Sequence, residues 1–356
     1  MALCFRMGWS AARRLVAALA MSSATSTLLI PSAAAQGEVN IYSYREPQLI
    51  DPLLKAFSEQ TGIRTNVVYA SAGLNERLAA EGQNSPADLL FTVDAGRLSE
   101  AKDAGLTQAV DLVTLQQSIP AAYRDPGNHW FGLTMRSRIV YASRDRVKQD
   151  SITYEELADP KWKGKICIRS GQHVYNTSLI ATLIAHKGEA FAEQWLKGLK
   201  ANLAHKPAGG DREQARDIYS GKCDLAVGNT YYMALMATNE KNPEQKRWGA
   251  AIKPLFPNAN ERGSHVNISG MALAKNAPNK ANALKLMEYL ASEQAQKIYA
   301  TANNEYPVNP AVDPSEIVKG WGKLKPDALP LENIAKYRKK ASELVDKVNF
   351  DAGPSS

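Results

Sequence analysis

Apolar positions along this chain switch repeatedly between the two-residue spacing of strands and the three-to-four-residue spacing of helices. The run EVNIY at 38–42 reads as a strand. A helix follows, with Leu49, Leu53 and Phe57 on one stripe, Ile50 and Leu54 beside them, and Gly62 where the helix should stop. Residues 64–70 (RTNVVYA) predict a second strand and 74–81 a second helix. The nearly unbroken apolar run 87–93 (ADLLFTV) suits a strand buried on both faces of a parallel sheet. A helix at 97–104 completes a β-α-β-α-β order, which predicts a layered α/β domain.

A second alternation begins after Arg136. Strands are expected at 139–142, 166–169 and 224–227, and helices at 154–158, 176–187, 190–199, 212–220 and from Tyr231 onward. Residues 267–275 (NISGMALAK) read as a strand, 281–292 and 294–302 as helices, and 331–347 as a terminal helix. Two α/β units in succession predict a bilobal fold whose cleft binds a small ligand and closes by hinge motion. No repeat, heptad array or low-complexity tract competes with that reading.

The first residues carry a different signal. Arg13 and Arg14 precede LVAALAM at 15–21, then Leu28-Leu29-Ile30, then the small residues Ala33-Ala34-Ala35. This predicts a secretory signal peptide over 1–35, cut before Gln36, with the paired arginines leaving a twin-arginine route open. Ser and Thr interrupt the apolar stretch, which is too short for a membrane span. The 356 residues carry a net charge of +7, and Arg6, Arg13 and Arg14 supply three of it, leaving +4 on the exported part. That balance is too mild for a nucleic-acid-binding surface. Cys4 leaves with the signal, so Cys167 and Cys223 remain in an oxidising compartment. A disulfide between them is expected, worth roughly 3–4.7 kcal/mol in the chain-entropy treatment, with two buried thiols as the alternative.

Enzyme motifs are missing. There is no G-x-S-x-G, H-E-x-x-H, Walker loop or G-x-G-x-x-G after the first strand, and the five histidines show no metal-ligand spacing. The tyrosines are more informative. Tyr175 sits in a turn entering a helix, and Tyr231-Tyr232 follow Gly228-Asn229-Thr230 in another. Both turns lie where predicted strands end, the place where open α/β sheets bind ligands. Phenols ionise near pH 10, so three of them become anionic at neutral pH only beside a strong positive charge. A hard trivalent cation supplies that charge and prefers oxygen ligands. Three phenolates balance Fe3+, and remaining coordination positions suit a bidentate anion. Arg136 and Arg138 lie at the first candidate crossover and present planar forks for such an anion; surface ion pairing is the alternative role.

Ordered short motifs sharpen this picture: NIYSYR at 40–45, SPADL at 85–89, WFGLT at 130–134, WKGK at 162–165 with CIRSG at 167–171, GGDR at 209–212, GNTYY at 228–232, EYPV at 305–308 and VKGWG at 318–322. With them the chain resembles the periplasmic ferric-ion-binding proteins of bacterial ABC importers, over nearly all of its exported length. The resemblance implies a type II bilobal periplasmic binding protein fold with two crossover strands. Its first lobe would be 36–137 plus 264–308 and its second 138–263 plus 309–356. It implies Tyr175, Tyr231 and Tyr232 as Fe3+ ligands. It implies carbonate or bicarbonate as a synergistic anion at Arg136, with Arg138 and Arg45 as further candidates, and the cysteine pair Cys167 and Cys223 of one branch. Other branches use ligands from the first lobe, but Glu46 and Val93 stand at those positions here; Glu46 and Asp94 remain candidate additional ligands.

The resemblance further implies a monomeric periplasmic protein that performs no catalysis. It would hand ferric iron to an inner-membrane permease and its ATPase. A receptor for an organic solute such as a phosphonate, polyamine or thiamine is the nearest rival, and a periplasmic hydrolase a more distant one.

Overall fold

The computed structural model describes residues 37–354, so the expected signal peptide lies outside the described residues. In chain order the strands are β1 (Glu38–Ser43), β2 (Arg64–Tyr69), β3 (Leu89–Thr92), β4 (Thr107–Gln108), β5 (Phe131–Ser143), β6 (Ile166–Cys167), β7 (Leu225–Asn229), β8 (Ile252–Leu255), β9 (Val266–Ala274) and β10 (Tyr306–Pro307). They pair in the order β2-β1-β3-β9-β5-β7-β6, with β4 on β9 and both β8 and β10 on β5. β1, β2 and β3 are parallel, β9 runs antiparallel to β3 and β5, and β6 and β7 are again parallel.

β5 joins the two halves of this network. Its partner changes between neighbouring residues: Ser137 pairs with Val266 of β9, and Arg138 pairs with Asn229 of β7. The chain's return passes alongside, where the Arg138 amide donates to the His265 carbonyl at 3.1 Å. All 13 residues of β5 are buried. The expected strand at 139–142 is only its last part. Arg136 and Arg138 both lie inside, at 3% and 2% exposure, which rules out the alternative of surface ion pairing.

Each half has its own apolar core. Val39, Ile41, Leu53, Phe57, Leu89 and Phe91 fill one; Ile166, Leu179, Leu183, Leu225 and Val227 contribute to the other. Of the anticipated apolar stripe, Leu53, Leu54 and Phe57 are buried on the first helix, Asp51–Thr61, each contributing roughly 1.5–3 kcal/mol, whereas Leu49 and Ile50 precede it. Gly62 ends that helix at φ 69°, a left-handed conformation natural to glycine. After β10 the chain runs under the first core, where Val318 and Leu324 are buried. The terminal helix Leu331–Lys347 then packs on the helices Val174–Lys187 and Ala95–Asp103. The helices Val113–Ser118 and Glu244–Ala250 and strand β8 were not expected from periodicity, being too short to show one. The expected helix at 294–302 ends at Ile298, and Tyr299–Asn303 widen into a π-helical turn. No helix among the described residues is long and apolar enough to cross a membrane.

Candidate metal centre

Two strand-to-helix turns deliver the tyrosines. β6 leads through Arg169 and Ser170 into the helix Val174–Lys187, whose cap is His173; its Nδ1 accepts from the Tyr175 amide at 3.2 Å. β7 leads directly into the helix Thr230–Ala237, so Tyr231 and Tyr232 occupy its first turn. Parallel pairing of β6 and β7 places both turns at the same edge of the sheet.

Tyr175, Tyr231 and Tyr232 all line one cleft of about 310 Å3. The hydroxyls of Tyr175 and Tyr231 are 3.2 Å apart, and the rings of Tyr231 and Tyr232 lie 4.3 Å apart. Burial pushes the Tyr231 and Tyr232 phenols above their ordinary range, and the neighbouring Tyr175 pushes them further. Without a cation these two phenols therefore keep their protons at neutral pH. Positive charge surrounds them: Arg45, Arg97, Arg136, Arg169 and Arg212 line the cleft, against Glu46 and Glu305. The guanidinium carbons of Arg169 and Arg136 lie 5.3 and 5.5 Å from the Tyr175 ring centre, and that of Arg212 lies 4.7 Å from Tyr232.

Arg136 is a lining residue with capacity to spare. Its Nη2 donates to the Val93 carbonyl, while Nη1, also buried, has no partner among the described residues. Arg45 lines the cleft too, but it is paired with Glu305 and donates to Ser269. Burial alone would lower its pKa; the Glu305 carboxylate raises it instead. Glu46 stands exposed at the rim, bonded to Gln48.

Two expected site residues are not among those lining the cleft. Every guanidinium nitrogen of Arg138 already donates: Nη1 to Asp211 Oδ2 at 2.6 Å and to Asn229 Oδ1 at 3.2 Å, and Nε and Nη2 to Asn176 Oδ1. Arg138 thus braces the tyrosine-bearing turns from below rather than facing a ligand. Asp94 is fully buried, capping the helix Ala95–Asp103 and accepting from Ser178 at 2.8 Å and Asn267 at 2.6 Å. Burial opposes its charge, but Arg338 and Arg136 hold its pKa below the usual value. The two cysteines are joined as the disulfide Cys167–Cys223.

Residues 53–326 match the model of a family described as bacterial extracellular solute-binding proteins. The chain belongs to that family. Among its relatives is iron uptake protein A2 of Synechocystis sp., 43% identical over 316 residues, covering 88% of this chain and 90% of the relative. Pasteurella haemolytica apo ferric ion-binding protein A superposes with a TM-score of 0.85 at 50% identity, covering 88% of this chain and 98% of that one. A Trichodesmium protein (IdiA, FutA) solved with iron and citrate ligands superposes with a TM-score of 0.83 at 41% identity, covering 88% of this chain and all of that one at 100%. The architecture is therefore that of the periplasmic binding proteins, as the sequence predicts.

Within this solute-binding family member, sequence reading gave no roles to Arg169, Asp211 and Glu305. Asp211 accepts from Arg138, from Arg169 at 3.2 Å and from the Asn229 amide at 2.8 Å. Glu305 anchors Arg45 and accepts from Thr134 at 3.0 Å. All three residues stand inside the recognised motifs CIRSG, GGDR and EYPV. Their positions were visible, but their partners were not.

Proposed function

We propose that this protein captures ferric iron in the periplasm and delivers it to an inner-membrane ABC permease and its ATPase. It works as a monomeric receptor without catalysis. The observation that carries this reading is the meeting of Tyr175, Tyr231 and Tyr232 in one cleft, from two helix starts at one sheet edge. Three phenol oxygens suit a hard trivalent cation, which favours their ionised form and displaces their protons. The lobes divide between Ser137 and Arg138 and again before Ser264, and the stretch after Val308, expected in the second lobe, first packs on the first core through Val318 and Leu324. On that division Tyr44, Arg45, Glu46 and Arg97 face the tyrosines across the cleft.

Arg136 holds the synergistic anion: its buried Nη1 has no partner, whereas the other unpartnered cleft nitrogens, Nε of Arg45 and of Arg169, belong to guanidiniums whose terminal nitrogens already bond Glu305 and Asp211. Carbonate is the small bidentate choice. A tricarboxylate is the second reading, supported by the surplus of five arginines over two glutamates around about 310 Å3. The Trichodesmium relative solved with iron and citrate lends it further support.

The test is to add ferric iron to metal-free protein with bicarbonate, with citrate, or with neither. A visible phenolate-to-iron charge-transfer band is expected, dependent on one of the two anions, and lost or strongly weakened in Tyr231→Phe. No band with any anion would overturn the reading. A Tyr231→Phe variant binding as well as the parent would instead favour an organic solute stacked on the rings.

A further inference from the structure

The disulfide Cys167–Cys223 lies against two further metal-ligand types, and none of the residues involved lines the cleft. Cys167 Sγ is 3.3 Å from His205 Nε2, and the same nitrogen is 3.2 Å from Asp217 Oδ2. His205 Nδ1 sits 2.7 Å from the Lys206 carbonyl oxygen, which only accepts, so Nδ1 carries a proton. That leaves Nε2 as the nitrogen that can bind a cation, fixed in direction by a backbone partner as metal-bound histidines usually are. Asp217 is oriented likewise. Its Oδ1 faces Lys222 at 3.2 Å and Arg216 at 3.4 Å, while Oδ2 faces the histidine.

We propose that reduction of the Cys167–Cys223 disulfide uncovers a zinc site made of Cys167, Cys223, His205 and Asp217. A dithiol reductant supplies the two electrons. Its own sulfurs join as the Sγ–Sγ bond breaks, and its two protons pass to the cysteines. Zinc then binds as those two thiol protons leave to solvent. In tetrahedral zinc with bonds of about 2.05 Å to nitrogen and about 2.3 Å to sulfur, nitrogen and sulfur stand about 3.5 Å apart, and nitrogen and carboxylate oxygen about 3.4 Å. The observed 3.3 and 3.2 Å are already close to those edges. Cys223, whose Cα is 5.9 Å from that of Cys167, must turn its freed sulfur toward the same point, a movement that side-chain torsions can supply.

The charges also fit. Two thiolates and one carboxylate exceed the zinc charge by one, and Lys222 and Arg216 already stand beside the carboxylate. Softness separates this site from the cleft: thiolates favour zinc, whereas phenol oxygens favour the harder trivalent ion. The His205 side chain is 32% exposed, which gives the metal a way in. Cys167 ends β6, the strand leading to Tyr175, and Cys223 lies two residues before the strand leading to Tyr231. Zinc in a reducing compartment would tie the same two segments that the disulfide ties in an oxidising one.

The test uses the full chain reduced with a trialkylphosphine and titrated anaerobically with Co2+ as a coloured substitute for zinc. One equivalent should produce thiolate-to-cobalt charge transfer in the near ultraviolet and tetrahedral bands in the visible, both erased by added Zn2+. The oxidised protein should show neither. His205→Ala should weaken reduced-state binding by about tenfold or more, and Tyr231→Phe should leave it unchanged. Circular dichroism follows the fold throughout, and a chain loosened by reduction should regain its helical signal with the metal. Absence of the bands, in a folded or a loosened chain, would overturn the site. So would His205→Ala binding Co2+ as tightly as the parent.

Discussion

Asp211 and Arg138 hold each other at 2.6 Å, with neither more than 2% exposed. The pair is the centre of a network joining Asn176, next to Tyr175, with Asn229, two residues before Tyr231. Burial alone would raise the Asp211 pKa, but Arg138 and Arg169 hold it below the ordinary carboxylate value. Asp211→Asn keeps the shape and removes the charge, leaving two guanidiniums without their counter-ion. Breaking a buried pair in this way costs about 3–5 kcal/mol. Denaturant unfolding should show the loss as a lower midpoint at unchanged slope. Iron binding by the fraction still folded should weaken as well, since both tyrosine turns lose their shared brace.

Arg136 and Arg138 are separated by one residue and should fail differently. Arg136 has a donor to spare at the cleft, whereas Arg138 is committed to Asp211, Asn176 and Asn229. Lysine in either place keeps the charge and loses the planar fork. Arg136→Lys should weaken anion-dependent iron binding by about tenfold with a smaller change in stability. Arg138→Lys should lower stability by about 2–4 kcal/mol, because several buried acceptors lose their donors. Iron titrations at several bicarbonate concentrations, set beside unfolding curves, separate the two outcomes. Equal behaviour of the two variants would contradict the difference in their surroundings.

That contrast also marks how far the sequence could be read. The tyrosines were legible because strand-to-helix turns and their sheet edge follow from local pattern. Arg138 was not, because its partners Asn176, Asp211 and Asn229 lie 38, 73 and 91 residues away. β5 likewise runs back to Phe131 through both arginines, and the acceptors that hold them inside lie far away in the chain. Asp94 looked like a possible ligand beside Val93, yet its acceptor positions are taken by Ser178 and Asn267, 84 and 173 residues distant. Helix stripes and buried strands depend on neighbours in the chain. Buried ionic networks depend on contacts that only the fold creates.

Gly228 explains why the double-tyrosine helix starts where it does. A Cβ built there would fall 2.2 Å from the Tyr141 ring and 2.5 Å from its hydroxyl oxygen. Tyr141 is fully buried, and its hydroxyl donates to the Asn229 carbonyl at 2.5 Å. The ring thus lies across the last residues of β7 and fixes the point from which Tyr231 and Tyr232 leave. Gly228→Ala must displace the ring or the strand, at a cost of about 1–3 kcal/mol or more for overpacking. A lower melting temperature is expected together with weaker iron binding. Tyr141→Phe, which leaves the space unchanged and removes only the hydroxyl, should cost about 1 kcal/mol and disturb the site less. If Gly228→Ala melted and bound iron like the parent, the close approach would not be what positions the helix.

His265 lies beside the second passage between the halves, and it predicts an acid-sensitive fold. It is 3% exposed, with Nδ1 2.8 Å from the Thr182 hydroxyl, and the charged groups acting on it are Arg136, Arg138 and Asp94. Burial, then Arg136, hold its pKa at about 3, below the 6.5 of a free imidazole. Between those values the unfolded chain binds a proton that the folded chain refuses. Stability is therefore complete above pH 6.5 and falls as pH drops toward 3, by at most about 1.4 kcal/mol per unit for this group. His173 is held at about 3 as well, first by burial and then by Arg169, and adds a loss of the same sign. His265→Gln removes one of the two contributions. Measured by denaturant at pH 7, 5.5 and 4.5, the variant should start below the parent and lose stability less steeply, so the gap narrows on acidification. Parallel curves would mean that His265 takes up its proton in the folded protein as readily as in the unfolded chain.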